Sequence, residues 1–233
     1  MVRFSLFGVH VHIHASFWIA ALVWGFALTA GEPHPLGVVF FALAVFVCLL
    51  THELGHAVTA RLLGAPHMEI CLSWMGGCAY GDDHAKPLTK KAGLLMTLGG
   101  PLGGMAVAAC IGIASLLATQ APWAALELCG RMLLGQMPME YEPYCPALLL
   151  LFAVYLFQIS LFWSIINLMP IYPLDGGVAL HELMEPGHRA HSISIVIAML
   201  LSMFFLAAGL WALAVLMIAL GYYNYRCILV HTE

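Results

Sequence analysis

Six stretches of the chain are apolar enough, and long enough, to be read as crossing a bilayer, which takes about 20 mainly apolar residues. They lie near Ser16–Ala30, Leu36–Ala60, Leu88–Thr119, Pro146–Met169, His191–Ala207 and Gly209–Tyr225. The last two form a nearly continuous run broken only at Ala207-Ala208-Gly209, so five spans also fit the pattern. Two segments follow a different rhythm. Val9-His10-Val11-His12-Ile13-His14 alternates at every step, the period of a strand with three histidines on one face. Pro66 to Gly81 sets apolar runs around Gly76-Gly77, which reads as a β-hairpin too short to span. Non-helical backbone at membrane depth is tolerated only where protein covers it or it lines a wet cavity. The pattern therefore predicts an all-α polytopic membrane protein of about six transmembrane helices with a small membrane-associated β-hairpin or sheet.

Composition agrees. The 233 residues are 63% hydrophobic and only 9% charged, against roughly 25% charged in soluble domains, and mean hydropathy is +0.95. No linker, low-complexity tract or repeat divides the chain, so residues 1–233 are expected to form one transmembrane domain with a core at about 36–177. A net charge of −4, spread thinly, gives no footprint for nucleic acid. The start, MVRFSLFGVHVHIH, has no small-residue cleavage site after an apolar core, so the first span is expected to stay. The seven cysteines include no CxxC and define no disulfide framework. Most read as small core residues; Cys129 and Cys145 share one loop, with nothing to favour a bond over free thiols. With six spans, Arg3, Arg61, Lys86, Lys90, Lys91, Arg189 and Arg226 fall on one side and only Arg131 on the other, in a loop from about Gln120 to Cys145 that also carries Glu127, Glu140 and Glu142. Basic residues accumulate on the cytoplasmic side. Both termini are therefore expected in the cytoplasm.

Candidate chemistry changes the picture where the second span ends in Leu50-Thr51-His52-Glu53-Leu54-Gly55-His56-Ala57. Residues four apart share a helix face, so His52 and His56 can offer two imidazoles to one ion while Glu53 stands beside them. This is the H-E-x-x-H arrangement of two zinc ligands and a carboxylate base, and zinc brings the pKa of a bound water down to about 7. Twelve histidines make a chance match easier, but ionisable groups at membrane depth are costly and read as functional by default.

A catalytic zinc takes three protein ligands and keeps a fourth position open. The best candidate for the third is Asp175 in Asn167-Leu168-Met169-Pro170-Ile171-Tyr172-Pro173-Leu174-Asp175-Gly176-Gly177, which follows a later span on the same side; the plainer role for Asp175 is a helix N-cap. Downstream, His181-Glu182-Leu183-Met184-Glu185 imitates the first motif, but Glu185 replaces the second histidine and Pro186 follows, so it reads as an amphipathic interfacial segment. His10, His12 and His14 either hold a second metal, gate by protonation, or simply face the interface from a strand beside the hairpin; the last is the simplest. An exposed edge of that hairpin would pair with an unwound substrate by strand addition, with Ile70 and Leu72 as the residues to test.

HELGH at the end of a span, NLMPIYPLDGG after a later one and Gly99-Gly100-Pro101-Leu102-Gly103-Gly104 between them resemble the site-2 protease family of intramembrane zinc metalloproteases. The likeness covers about Val9 to Gly177. It implies one Zn2+ per chain on His52, His56 and Asp175, Glu53 as general base, and Asn167 holding substrate or oxyanion. It also implies a membrane-embedded protein substrate, such as an anti-sigma or pro-sigma factor, in a bacterial plasma membrane. Gly100 and Pro101 enter as substrate-binding candidates, although glycines there also suit close helix packing. A homo-oligomer or a regulatory membrane partner is compatible with the likeness. Two positions depart from the family: Gly104 stands where many members have Asn, and Val178 where an Arg often follows Asp-Gly-Gly. The outer loop is too short for a PDZ domain, and no nucleotide-binding domain of the cystathionine-synthase type is expected after the last span. The competing readings are a metalloprotease with a glutamate third ligand, Glu182 or Glu185, and a non-proteolytic metal transporter or sensor in which Glu53 is a ligand or proton carrier.

Overall fold

The computed structural model describes residues 1–28, 35–65, 67–81, 89–138, 146–184 and 188–230. Lys86, Glu140, Glu142, Cys145 and Glu185 lie outside the described residues, and with them the open choice between a Cys129–Cys145 bond and free thiols. Two compact units emerge, Met1–Ala85 with Gly99–Ser164, and Lys86–Leu98 with Ile165–Glu233.

The first unit holds a four-stranded sheet of β1 (Val2–Leu6), β2 (Val9–Ile13), β3 (Met68–Ser73) and β4 (Gly76–Gly81), in that order. The outer pairings are antiparallel, and β2 runs parallel to β3. Alternation decides the faces: Val9, Val11, Ile13, Met68, Ile70 and Leu72 are buried on one side, and His10 and His12 turn to the other, as expected of a strand beside the hairpin. The first strand was not legible from its exposed sequence VRFSL. It joins β2 through Phe7 and Gly8, with φ of 51° and 75°, the two left-handed residues that a two-residue hairpin turn demands. The second hairpin turns on Trp74-Met75, two residues before the expected glycine pair, and Gly76 begins β4 with φ of 116°.

Helices α1 (Ala15–Leu28), α2 (Pro35–Leu62), α3 (Lys90–Thr119), α4 (Pro122–Leu133) and α5 (Ala147–Asn167) follow around the sheet. The first has 14 residues, about 21 Å of helix, short of a bilayer's hydrocarbon core, and it packs Phe17 and Trp18 against Phe46 of α2. Within the loop expected from Gln120 onward, α4 is a further helix. Its apolar stripe of Ala125, Leu128 and Met132 is buried, with Ala108, Val154 and Phe157 sharing the cluster of Leu128 and Met132. Pro122 occupies the first turn, where its missing N–H costs nothing.

The second unit carries α6 (Asp175–Leu183), α7 (His188–Ala207) and α8 (Trp211–Val230). Ile171, Ala198 and Met217 form its core. The break between the last two spans falls where the sequence placed it, with Gly209 at φ 74°. Among the described residues, five helices, α2, α3, α5, α7 and α8, are long and apolar enough to cross a membrane, and the protein is a multi-pass membrane protein.

Candidate metal centre

His52 and His56 sit in the second half of α2. Counting 1.5 Å per residue from Pro35 puts His52 about 26 Å along the helix, near one edge of a hydrocarbon core about 30 Å thick. His52 and Glu53 are buried and His56 is half-buried. The two rings meet edge to face with centroids 4.9 Å apart, and their Nε2 atoms are 3.3 Å apart. Two imidazole nitrogens held about 2.0–2.1 Å from one tetrahedral zinc stand about 3.3–3.4 Å from each other. The observed pair fits that demand without a rotamer change, and the spacing is long for an N–H···N hydrogen bond. Trp163 of α5 closes the other side of His52 with ring centroids 6.4 Å apart.

Room for these side chains comes from glycines. A Cβ on Gly55 would overlap the carbonyl of Gly99, one on Gly99 would lie 2.5 Å from the Gly55 oxygen, and one on Gly103 would lie 2.6 Å from the Thr51 oxygen. Thr51, Gly55, Gly99 and Gly103 thus bring α2 and α3 together backbone to backbone, as small residues do between membrane helices. Gly100 is different: a Cβ there would overlap Nε2 of His56. Its hydrogen is the wall against that ring. Pro101 is fully buried inside α3. Both positions are tightly packed, Gly100 against the His56 ring and Pro101 within α3. At Gly104 a side chain would run into the hydroxyl of Ser164, which donates to the Ser160 carbonyl at 2.7 Å, so this departure from the family pattern is matched by a hydroxyl from α5.

The sheet reaches the same place. A Cβ on Gly77 of β4 would lie 2.5 Å from Oε1 of Glu53, so the second glycine of the hairpin serves a close approach to a carboxylate instead of the turn. Ile70 and Leu72 lie on an inner strand of the sheet, away from the edge where strand addition would occur. Both are fully buried, and β3 is paired on each side. The edge beyond β4 has no strand partner among the described residues. An apolar cavity of about 340 Å³ is lined by Phe17, Leu49, Trp74, Met75 and Trp163 among others, and its Trp163 wall is the ring that packs on His52.

In the second unit, Asn167 is the buried last residue of α5, and Asp175 is the first residue of α6. Leu174 takes the N-cap position, so Asp175 stands one place further in than the N-cap expected, where a carboxylate is favoured by the helix dipole. The intervening loop is tied down. Ser194 of α7 accepts the Tyr172 N–H and donates to the Pro170 carbonyl, both at 3.2 Å. Asn224 of α8 donates to the Tyr172 carbonyl at 2.5 Å and takes a 2.8 Å hydrogen bond with Nδ1 of His191. Side chains on Gly176 or Gly177 would overlap the backbone of Leu168 and Tyr172, so the glycine pair lets α6 start against its own loop. Ser194 and Asn224 carried no signal in the sequence beyond being polar residues inside apolar spans. Burial, and then the neighbouring His191, hold the His181 imidazole below its usual range.

The sequence pattern of peptidase family M50 matches residues 40–209. The chain is similar to a zinc metalloprotease of Methanocaldococcus jannaschii, 27% identical over 225 residues covering 95% of this chain and 57% of that protein. It is also similar to stage IV sporulation protein FB of Bacillus subtilis, 27% identical over 214 residues covering 88% of this chain and 58% of that protein. The chain thus spans less than two thirds of the length of these relatives. Its fold is similar to the solved site-2 protease from Methanocaldococcus jannaschii, with a TM-score of 0.53 and 23% identity, covering 97% of this chain and 92% of that one.

Proposed function

The chain belongs to peptidase family M50, and from that premise we propose that it is an intramembrane zinc metalloprotease, cleaving a peptide bond in or beside the spanning helix of a membrane-tethered protein. The observation that carries the reading is the pair of Nε2 atoms 3.3 Å apart on one helix face, with the carboxylate of Glu53 buried one residue away. Asp175 is the third ligand in this reading, and both units act as one catalytic domain. The hydrogen bonds that fix its loop and the glycines that let α6 begin there support the assignment. Bound zinc would supply a water acidified towards neutrality and a Lewis acid for the scissile carbonyl.

The residues of the chain do the rest. Glu53 takes the proton of the attacking water and passes it to the leaving amine, the ordinary work of a general base that becomes the acid. Burial under Gly77 keeps that carboxylate from reorienting. Asn167 offers its side-chain amide to the substrate backbone or the developing oxyanion. A substrate helix hides its amides in its own hydrogen bonds, so it must unwind first; the free edge of β4 replaces those bonds by strand addition. The apolar cavity beside Trp163 accepts side chains arriving from lipid. The substrate class is a membrane-tethered regulator, of which an anti-sigma or pro-sigma factor is the instance implied by the family likeness. Counted over six crossings, with α1 as the first, the distribution of basic residues supports cytoplasmic termini; the family likeness implies a bacterial plasma membrane, and a regulatory membrane partner or a second copy is compatible with the same fold.

The test is direct: full-length protein reconstituted in liposomes with a labelled single-span substrate, with and without chelator, then with zinc restored. Cleavage that stops with chelation and returns with zinc is expected. A substrate panel left intact by zinc-loaded protein would count against the proposal.

A further inference from the structure

The apolar cavity beside Trp163 has a depth in the membrane, and its depth gives it a direction. Helices α1 and α2 touch at two places. Phe17 and Trp18 pack on Phe46, and a Cβ on Gly25 would lie 3.1 Å from the Phe41 ring and 3.2 Å from Val38. Between those contacts α1 presents Ala20 and Ala21, side chains too short to fill the gap. The result is a slot of about 340 Å³. Leu49, Val45 and Phe41 form its α2 wall, and they stand about 4.5, 10.5 and 16.5 Å back along the helix from His52. Since His52 lies near one edge of the hydrocarbon core, the slot runs from beside the metal centre into the bilayer. At the near end, Trp163 packs on His52, and Gly76 of the hairpin lines the slot one residue before Gly77, which approaches Glu53. The mouth is apolar too: Trp24, Trp74 and Met75 line it while 60%, 67% and 79% exposed.

We infer that this slot is a specificity subsite, taking a bulky apolar side chain from a substrate residue on the bilayer-interior side of the scissile bond; the inference rests on the protease reading above.

The side is fixed by the membrane. A spanning substrate cut near the edge of the core has one flank of the scissile bond still in hydrocarbon and the other leaving it, and only the first can reach a slot that lies deeper than His52. The position is fixed by spacing. An extended chain advances about 3.3 Å per residue with side chains on alternate faces, so a slot that begins about 4.5 Å from the depth of His52 meets the first or second residue on that flank. The size follows from packing. An empty apolar slot forfeits the contacts its walls could make, and a long or aromatic side chain restores them where alanine does not. Such a side chain arrives from lipid, so the gain comes from contact and shape instead of water release. Charge is refused: among the described residues that line the slot none is ionisable, and a carboxylate there would have no partner for its lost hydration. A lipid acyl chain also suits these walls, but the near end at His52 and Gly76 joins the slot to the reacting bond.

The test is a ratio of rates. Full-length protein in liposomes cleaves a single-span substrate with alanine at every residue flanking the mapped cleavage bond, then variants with phenylalanine at each of those positions in turn. Phenylalanine at one position on the bilayer-interior flank should raise kcat/KM about 10-fold over alanine, the low end of what an apolar pocket supplies; on the other flank it should not. Ala20→Phe fills the slot and should erase that preference, and Trp24→Ala widens it and should move the optimum to tryptophan. Ile19→Phe adds a ring to the exposed face of α1 and should keep the preference. Equal rates for phenylalanine and alanine throughout the inner flank, or a preference that survives Ala20→Phe, overturns the subsite and leaves the protease reading standing. Zinc-loaded protein that cuts nothing in the panel sinks the protease reading, and occupancy is then read without turnover. Benzoylphenylalanine placed along the substrate span and photolysed with Glu53→Gln protein should give adducts on Trp24, Trp74 or Met75 that Ala20→Phe removes. Adducts there from a photoreactive phospholipid alone, with none from the substrate, assign the slot to an acyl chain and overturn the inference.

Discussion

The chain writes nearly the same four letters twice, His-Glu-Leu-Gly from His52 in α2 and His-Glu-Leu-Met from His181 in α6, and the two places share almost nothing else. Around the first, glycines clear space. Gly100 leaves room for the ring of His56, Gly55 and Gly99 let two helices touch, and Gly77 brings a strand down onto Glu53. Around the second, His181 is one ring in an aromatic group, 4.3 Å from the His191 centroid and 5.2 Å from that of Tyr172, while Glu182 approaches Gly93 of α3. The lesson is that ligand spacing becomes a metal centre only where neighbouring elements give up their side chains to make room for it.

The contrast can be broken most forcefully at the ligands. His56→Ala should lose zinc and all measurable cleavage, whereas His181→Ala should keep its zinc and most of its turnover; metal analysis beside the liposome assay reads both. A metalloprotease whose third ligand is Glu182 would give the opposite result in Glu182→Gln, which here should leave zinc content unchanged. Next comes the base. Glu53→Gln should retain zinc and lower kcat by about 10²–10⁴-fold, the range for removing a general acid–base group. Zinc-loaded Glu53→Gln that still moves metal across liposomes would favour the transporter reading.

A smaller effect is expected at the glycine over that base. Gly77→Ala puts a methyl 2.5 Å from Oε1 of Glu53. Overpacking of this kind costs about 1–3 kcal/mol, and part of it should be seen as a fall in kcat of about 10-fold with zinc retained. Gly64→Ala is the control for added bulk alone, since a Cβ there meets nothing within 4 Å; its left-handed φ of 98° makes it a strain control as well.

The smallest effect concerns the imitation motif and pH. The folded chain holds the His181 pKa below its ordinary value through burial and His191. A lowered imidazole pKa means that the unfolded chain takes up the proton first, so this contribution is complete above about pH 6.5 and is lost as pH falls through the folded value. Thermal melts of wild type should therefore drop slightly on acidification, and His181→Gln should flatten that part of the profile.

How much of this was legible depended on whether a feature is local. The long apolar runs and the i, i+4 histidines are local, so α2, α3, α5, α7, α8 and the arrangement of His52 and His56 followed from spacing. The strict alternation at Val9–Ile13 likewise gave β2 and its faces. By contrast α4 stayed hidden, because a 12-residue helix is too short to register as a span and its stripe is interrupted by Glu127 and Arg131. The second hairpin was placed correctly but its turn was not. The glycine pair drew attention to itself, and only tertiary packing reveals that Gly77 answers to Glu53. The same reason explains Gly100, Ile70 and Leu72, whose neighbours come from elements distant in the chain.

The central claim is that one ion is held by two imidazoles of α2 and the carboxylate of Asp175. Zinc-edge X-ray absorption on the full-length protein loaded with one equivalent of zinc tests it most directly. A first shell of nitrogen and oxygen alone, with the outer scattering of two imidazoles, reduced by one oxygen donor or stripped of zinc in Asp175→Ala, is the predicted result. A shell containing sulfur, or a spectrum unchanged by Asp175→Ala, would contradict it.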